Sequence, residues 1–108
     1  MAFLGSSLPR QCGIATYTAD LVEALGALYK QAEFFGVAMT DPHNAYVYPP
    51  AVRFEIAESD IAAYHRAADF LNINDVDLVS IQHEFGLFGG PAGSHVLALL
   101  RELRMPAV

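Results

Sequence analysis

His83 and Glu84 stand side by side in the stretch Val76–Gly93, Val-Asp-Leu-Val-Ser-Ile-Gln-His-Glu-Phe-Gly-Leu-Phe-Gly-Gly-Pro-Ala-Gly. A histidine can donate to a sugar hydroxyl or move a proton near neutral pH. The pair follows an apolar run, Leu78, Val79 and Ile81, with the length and β-branching of a buried strand. A glycine-rich loop comes next (Gly86, Gly89, Gly90, Gly93), then an apolar helix from about Ser94. Ligands of open parallel sheets bind beyond the carboxyl ends of strands, which is where this pair should lie. Side chains alternate along a strand, so one of the two is expected to face a given cleft. The alternative is a strand-end pair that merely satisfies loop backbone groups.

A second place with chemical potential is Gly5-Ser6-Ser7-Leu8-Pro9-Arg10-Gln11-Cys12-Gly13. A helix is expected from Ile14, so free N–H groups and the positive end of the helix dipole should point outward there. Gly13 lets a phosphate approach the backbone. Neither Gly-x-Gly-x-x-Gly nor Gly-x-x-x-x-Gly-Lys-Ser/Thr occurs, so neither a dinucleotide fingerprint nor a Walker loop is supported. An ordinary strand-to-helix turn remains the competing reading. Cys12 near a helix start could have a lowered pKa, or could be a small residue packed beneath the loop. No metal site is expected, because Cys12, His43, His65, His83 and His95 lack metal-ligand spacing. His65 and His95 read as solvated surface, and Tyr46 and Tyr48 as loop packing. Ser6 and Ser7 have no Gly-x-Ser-x-Gly context for a nucleophile.

The elements that position these places follow from periodicity. Ala2-Phe3-Leu4 reads as a strand. Ile14, Tyr17, Leu21, Leu25 and Leu28 recur at helical steps and predict the inward face of a helix. Glu33–Met39 reads as a buried strand, and the irregular stretch Thr40–Pro50 leads to the alternating strand Val52–Ile56, half-exposed near a sheet edge. Ser59 is the expected N-cap of a helix to about Leu71, with Ile61, Tyr64, Ala68 and Leu71 on one face. A last helix, Ser94–Arg104, should turn Val96, Leu97, Leu100 and Leu103 inward, and Pro106–Val108 starts another strand. The order β-α-β-β-α-β-α-β predicts a three-layer α/β/α sandwich with a mostly parallel sheet.

Composition bounds the function. The 108 residues suffice for one core, and 54% are hydrophobic with only 17% charged. A low charge content and an end at a strand start suggest part of a larger protein. The net charge of −6 argues against nucleic-acid or anionic-membrane binding through a basic patch. Phosphate held by backbone amides stays open. One cysteine excludes an internal disulfide, and no apolar run approaches the roughly 18–20 residues of a spanning helix. A cytoplasmic chain without a transmembrane segment or signal peptide is expected.

Two segments carry a family resemblance. Leu8-Pro9-Arg10-Gln11-Cys12-Gly13-Ile14-Ala15-Thr16-Tyr17-Thr18-Ala19-Asp20-Leu21 resembles the first loop and helix of bacterial group 1 (family 4) retaining glycosyltransferases. Ile81-Gln82-His83-Glu84-Phe85-Gly86-Leu87-Phe88-Gly89-Gly90 resembles a later strand end of the same family. The resemblance implies a GT-B fold of two Rossmann-like domains, with residues 1–108 forming part of the N-terminal one. It implies transfer of a sugar from a nucleotide-diphosphate donor to an acceptor (sugar, lipid or small molecule), with no cofactor and no catalytic metal. His83 is then the candidate catalytic residue, and Cys12, Gly13, Ile14, Glu84, Gly89 and Gly90 the candidate substrate contacts. The family's C-terminal donor-binding domain, with its basic pair and glutamates, is not in this sequence, so the chain alone is expected to be inactive. Rival readings are a non-catalytic module that binds a nucleotide or phosphosugar, and a structural remnant that associates with a partner.

Overall fold

The computed structural model describes residues 1–10, 13–41, 46–84 and 86–108. The elements run β1 (Ala2–Gly5), α1 (Gly13–Leu28), β2 (Phe35–Thr40), β3 (Val52–Ala57), α2 (Ile61–Ile73), β4 (Val79–Ile81) and α3 (His95–Glu102). A single 3-10 turn, Pro91–Gly93, precedes α3. Each expected element exists, within a few residues of its expected bounds.

The four strands form one sheet in the order β3-β2-β1-β4. Every pairing is parallel, so the sheet goes beyond the mostly parallel arrangement expected. β1 is central: Ala2 pairs with both Phe35 and Val79, and Leu4 with both Val37 and Ile81. The expected last strand appears as a parallel bridge from Ala107 to Val79, with the Ile81 amide donating to the Val108 carbonyl at 2.7 Å. From β1 the chain steps outward to β2 and β3, then returns to the other side of β1 for β4. Such a reversal leaves two neighbouring strands whose following loops diverge, opening a crevice at their carboxyl ends.

One face of the sheet is densely packed. Ala2, Leu4, Val37, Met39, Ile56 and Val79 join Ala63, Tyr64, Ala67, Ala68 and Leu71 of α2 and Leu99 of α3 in one buried cluster. Alanines at i, i+4 and i+5 bring the α2 backbone close to the strands, and Tyr64 and Leu71 fill the remaining depth. The opposite face, bearing Phe3, is approached by α1 through Ala15 and Thr18. The structure therefore shows an all-parallel α/β sheet with one tight helical layer, while α1 meets its face lightly and leaves an apolar hollow.

Four expectations about helix faces and ends are corrected, in whole or in part. On α1 the sheet-facing residues are small, so Tyr17 (57% exposed) and Leu28 (75%) point to solvent. Ile14, Leu21 and Leu25 of the same repeat are half-buried, so the expected face holds at three of its five positions. On α3, Leu97 is exposed and Leu99 is the fully buried residue; on α2, Ile61 is exposed. The N-cap of α2 is Asp60 rather than Ser59, its carboxylate accepting from the Ala62 amide at 3.0 Å. Asp60 also holds Arg66 at 3.2 Å, a second role that a serine could not fill.

The core assignment has a direct check. Leu71→Ala should cost about 2–5 kcal/mol, because it opens a cavity between α2 and the sheet. Leu28→Ala should change stability by less than about 0.5 kcal/mol. Urea denaturation of the two variants measures both.

Candidate functional site

Parallel pairing decides where the two candidate places lie. β1 and β4 are adjacent, so the loops that leave their carboxyl ends start on the same edge of the sheet. The ends nearly touch: the Gln82 amide donates to the Leu4 carbonyl at 2.8 Å, and a Cβ on Gly5 would stand 2.9 Å from that of Gln82. Gly5 is therefore a packing glycine that lets β1 and β4 end side by side.

Beyond β4, His83, Glu84, Gly86, Phe88, Gly90, Ala92 and Gly93 line a hollow of about 240 Å³. His83 and Glu84 are both exposed, which corrects the expectation that only one would face the cleft. The strand ends at Ile81, so alternation no longer governs residues 83 and 84. The His83 ring lies against Phe88 with centroids 5.7 Å apart.

The glycine loop is latched from below by one phenol. Tyr64, fully buried on α2, donates from its hydroxyl to the Glu58 carbonyl at 2.8 Å and accepts from the Gly89 amide at 3.0 Å. A Cβ on Gly89 would collide with the Glu58 carbonyl, and one on Gly90 would strike the His95 ring. Gly90 also has φ +82°, where side chains are strained. Gly89 and Gly90 thus have a complete packing explanation. His95 is corrected from solvated surface to a partly buried ring, edge-on to Tyr64 at 5.6 Å and beneath Gly90. His65 is exposed as expected, in contact with Glu102 at 2.7 Å.

Around the first loop the picture is different. Gly13 opens α1, is exposed, and has nothing within 4 Å of where a Cβ would be. No internal packing demands a glycine at that point. Ile14 is half-buried; Cys12 lies outside the described residues. Two polar groups here have no hydrogen-bond partner among the described residues: the hydroxyl of Ser6, whose residue is 1% exposed, and a buried guanidinium nitrogen of Arg10, Nη1. Buried polar groups are paired in the great majority of cases. Burial raises the Tyr48 pKa, a hydrogen bond with Thr40 lowers it, the Glu55 charge raises it, and the Arg10 charge lowers it again. Sequence reasoning passed over Ser6 and Arg10 as ligand groups, and the only signal was their place between a strand and a helix start. Tyr64 was legible as core; its role as a latch was not.

Gly13 and Ile14 do not line the hollow that holds His83 and Glu84. The described residues supply two neighbouring places on one edge rather than one merged pocket. Among the described residues no cluster of three or more His, Cys, Asp or Glu could hold a metal ion. No helix among them is long and apolar enough to cross a membrane. No protein-family model matches the chain, and neither the curated proteins nor the solved structures contain a match. The glycosyltransferase resemblance accordingly rests on the two sequence segments that carry it.

The two kinds of glycine separate in a stability experiment. Gly89→Ala should destabilise by about 2 kcal/mol or more, since backbone must move. Gly13→Ala should be neutral or stabilising by up to about 1 kcal/mol. Tyr64→Phe should cost about 1–3 kcal/mol and accelerate hydrogen exchange at the Gly89 amide, because two buried groups lose their partner. Burial raises the Tyr64 pKa above its ordinary value of 10.0, with a smaller lowering from the Gly89 bond. Its contribution is therefore full below about pH 10 and declines above it, where only the unfolded chain sheds the proton. Alkaline melting curves should show that decline weakened in Tyr64→Phe.

Proposed function

We propose that this chain is part of the N-terminal, Rossmann-like domain of a retaining GT-B glycosyltransferase, lining the acceptor and diphosphate side of its cleft. The observation that carries the reading is the reversal of strand order at β1, which sets the loops after β1 and β4 on one edge. The two segments that resemble the family are these two loops. Their juxtaposition is what a shared ligand crevice requires.

In this reading the diphosphate of a nucleotide sugar lies at the start of α1. Backbone N–H groups and the helix dipole offer partial positive charge, and Gly13 leaves the space a phosphate needs. The partnerless Arg10 nitrogen and Ser6 hydroxyl are donors of the right kind for phosphate oxygens. Stabilising a departing diphosphate with fixed dipoles and cations is electrostatic catalysis and calls for no metal or other cofactor. His83 and Glu84 meet the acceptor or the transferred sugar, His83 through a ring already oriented by Phe88. The donor's nucleotide is held by a C-terminal domain, so the 108 residues alone do not turn over. A nucleotide-sugar pool and an acceptor in the cytoplasm complete the picture.

Inorganic pyrophosphate should perturb the Gly13 and Ile14 amide resonances of the chain saturably. Arg10→Gln should weaken that binding roughly tenfold or more. Unchanged affinity in this variant removes the diphosphate role. In the intact transferase His83→Ala should lower sugar transfer by at least about tenfold with Tm nearly unchanged. A variant that only melts earlier makes His83 a structural residue. Pyrophosphate binding without sugar transfer by the intact protein would favour the non-catalytic binding module.

A further inference from the structure

The face of the sheet that α1 covers holds an apolar hollow of about 270 Å³, close to the roughly 300 Å³ lower end of small-molecule sites. Phe3 and Gly36 of the sheet form its floor, with Thr18 and Val22 of α1 and Pro49 and Val52 also lining it. The topology explains why it is there. β1, β2 and β3 run side by side, yet the described part of the connection from β2 to β3 contains no helix. The place beside α1 where such a helix would pack is left open, with apolar side chains beneath it.

Thr18 makes this more than an unfilled gap. The residue is 7% exposed and its hydroxyl has no hydrogen-bond partner among the described residues. Leaving a buried hydroxyl unpaired is costly, and a valine of the same shape would avoid the cost. Among the described lining residues Glu23 is the only ionisable one, and they offer no cation to an anionic ligand. A molecule suited to it is mostly hydrocarbon, uncharged, and carries one hydroxyl or carbonyl.

We propose that this hollow binds the chain of a neutral amphiphile, such as a fatty alcohol or the acyl part of an uncharged lipid, with its single polar group on the Thr18 hydroxyl. The site lies between α1 and the sheet, apart from the residues around His83, and it is independent of the sugar-transfer reading. Apolar burial supplies affinity and the one hydrogen bond fixes the depth of insertion.

The test uses 1-decanol and decanoate as probes, titrated into the chain and followed by amide and methyl NMR. Decanol should give saturable shifts confined to Phe3, Thr18, Ala19, Val22 and their neighbours. Decanoate should bind at least roughly tenfold more weakly, because its charge is buried unpaired beside Glu23. Thr18→Val should raise the Tm of the free chain and weaken decanol binding severalfold. Ala19→Phe, which plugs the hollow, should abolish binding. Absence of saturable shifts overturns the proposal, as does equal affinity for decanoate or a Thr18→Val chain that binds decanol unchanged. Concentration-dependent self-association that protects the same residues also overturns it, by making a second copy the occupant.

Discussion

Ala2–Gly5 is paired on both sides at once, and most of the molecule follows from that constraint. Two parallel neighbours leave no free edge on β1, and all four residues are buried. Adjacent side chains on such a strand serve different cores: Ala2 and Leu4 enter the cluster under α2, while Phe3 floors the hollow under α1. Parallel partners cannot be joined by tight turns, so each crossing needs a long connection. The chain spends these connections on one side of β1 first and on the other side second. The loops after β1 and β4 then leave from neighbouring strand ends, and Gly5 removes the side chain that would hold those ends apart.

The two faces of the sheet differ in how their polar groups are handled. Under α2 the buried hydroxyl of Tyr64 is satisfied twice, by a carbonyl at the end of β3 and an amide of the glycine loop. One phenol thereby ties three separate segments together and holds the loop carrying His83 at a set height above β4. Under α1 the hydroxyls of Ser6 and Thr18 have no partner among the described residues, and Arg10 keeps a buried nitrogen unpaired. Satisfied polar groups therefore lie on the α2 side, and the buried unpaired ones of the described residues on the α1 side and along the edge beside it.

The element order and parallel class were readable because buried strands and amphipathic helices leave periodic marks: Leu78–Ile81 as an apolar run, Val52–Ile56 as an alternation, Tyr64 and Leu71 at helical spacing. Periodicity held only in part on α1: Ile14, Leu21 and Leu25 are half-buried, the small Ala15 and Thr18 are fully buried, and Tyr17 and Leu28 face out. Asp60 displaced Ser59 as the cap because a carboxylate can hold both the Ala62 amide and Arg66.

By itself the sequence determined which segments are strands and helices, where the two chemically equipped loops fall, and that no disulfide joins two of these 108 residues. It marked His83, Glu84 and Gly13 by type and local context. Only the tertiary structure decided that the two loops share an edge, that Gly89 and Gly90 are required by the Glu58 carbonyl and the His95 ring, and that Gly13 is required by nothing inside the fold. Those outcomes depend on contacts between residues distant in the chain. A local pattern records what each segment prefers to bury, and holds no record of which neighbour will be there to meet it.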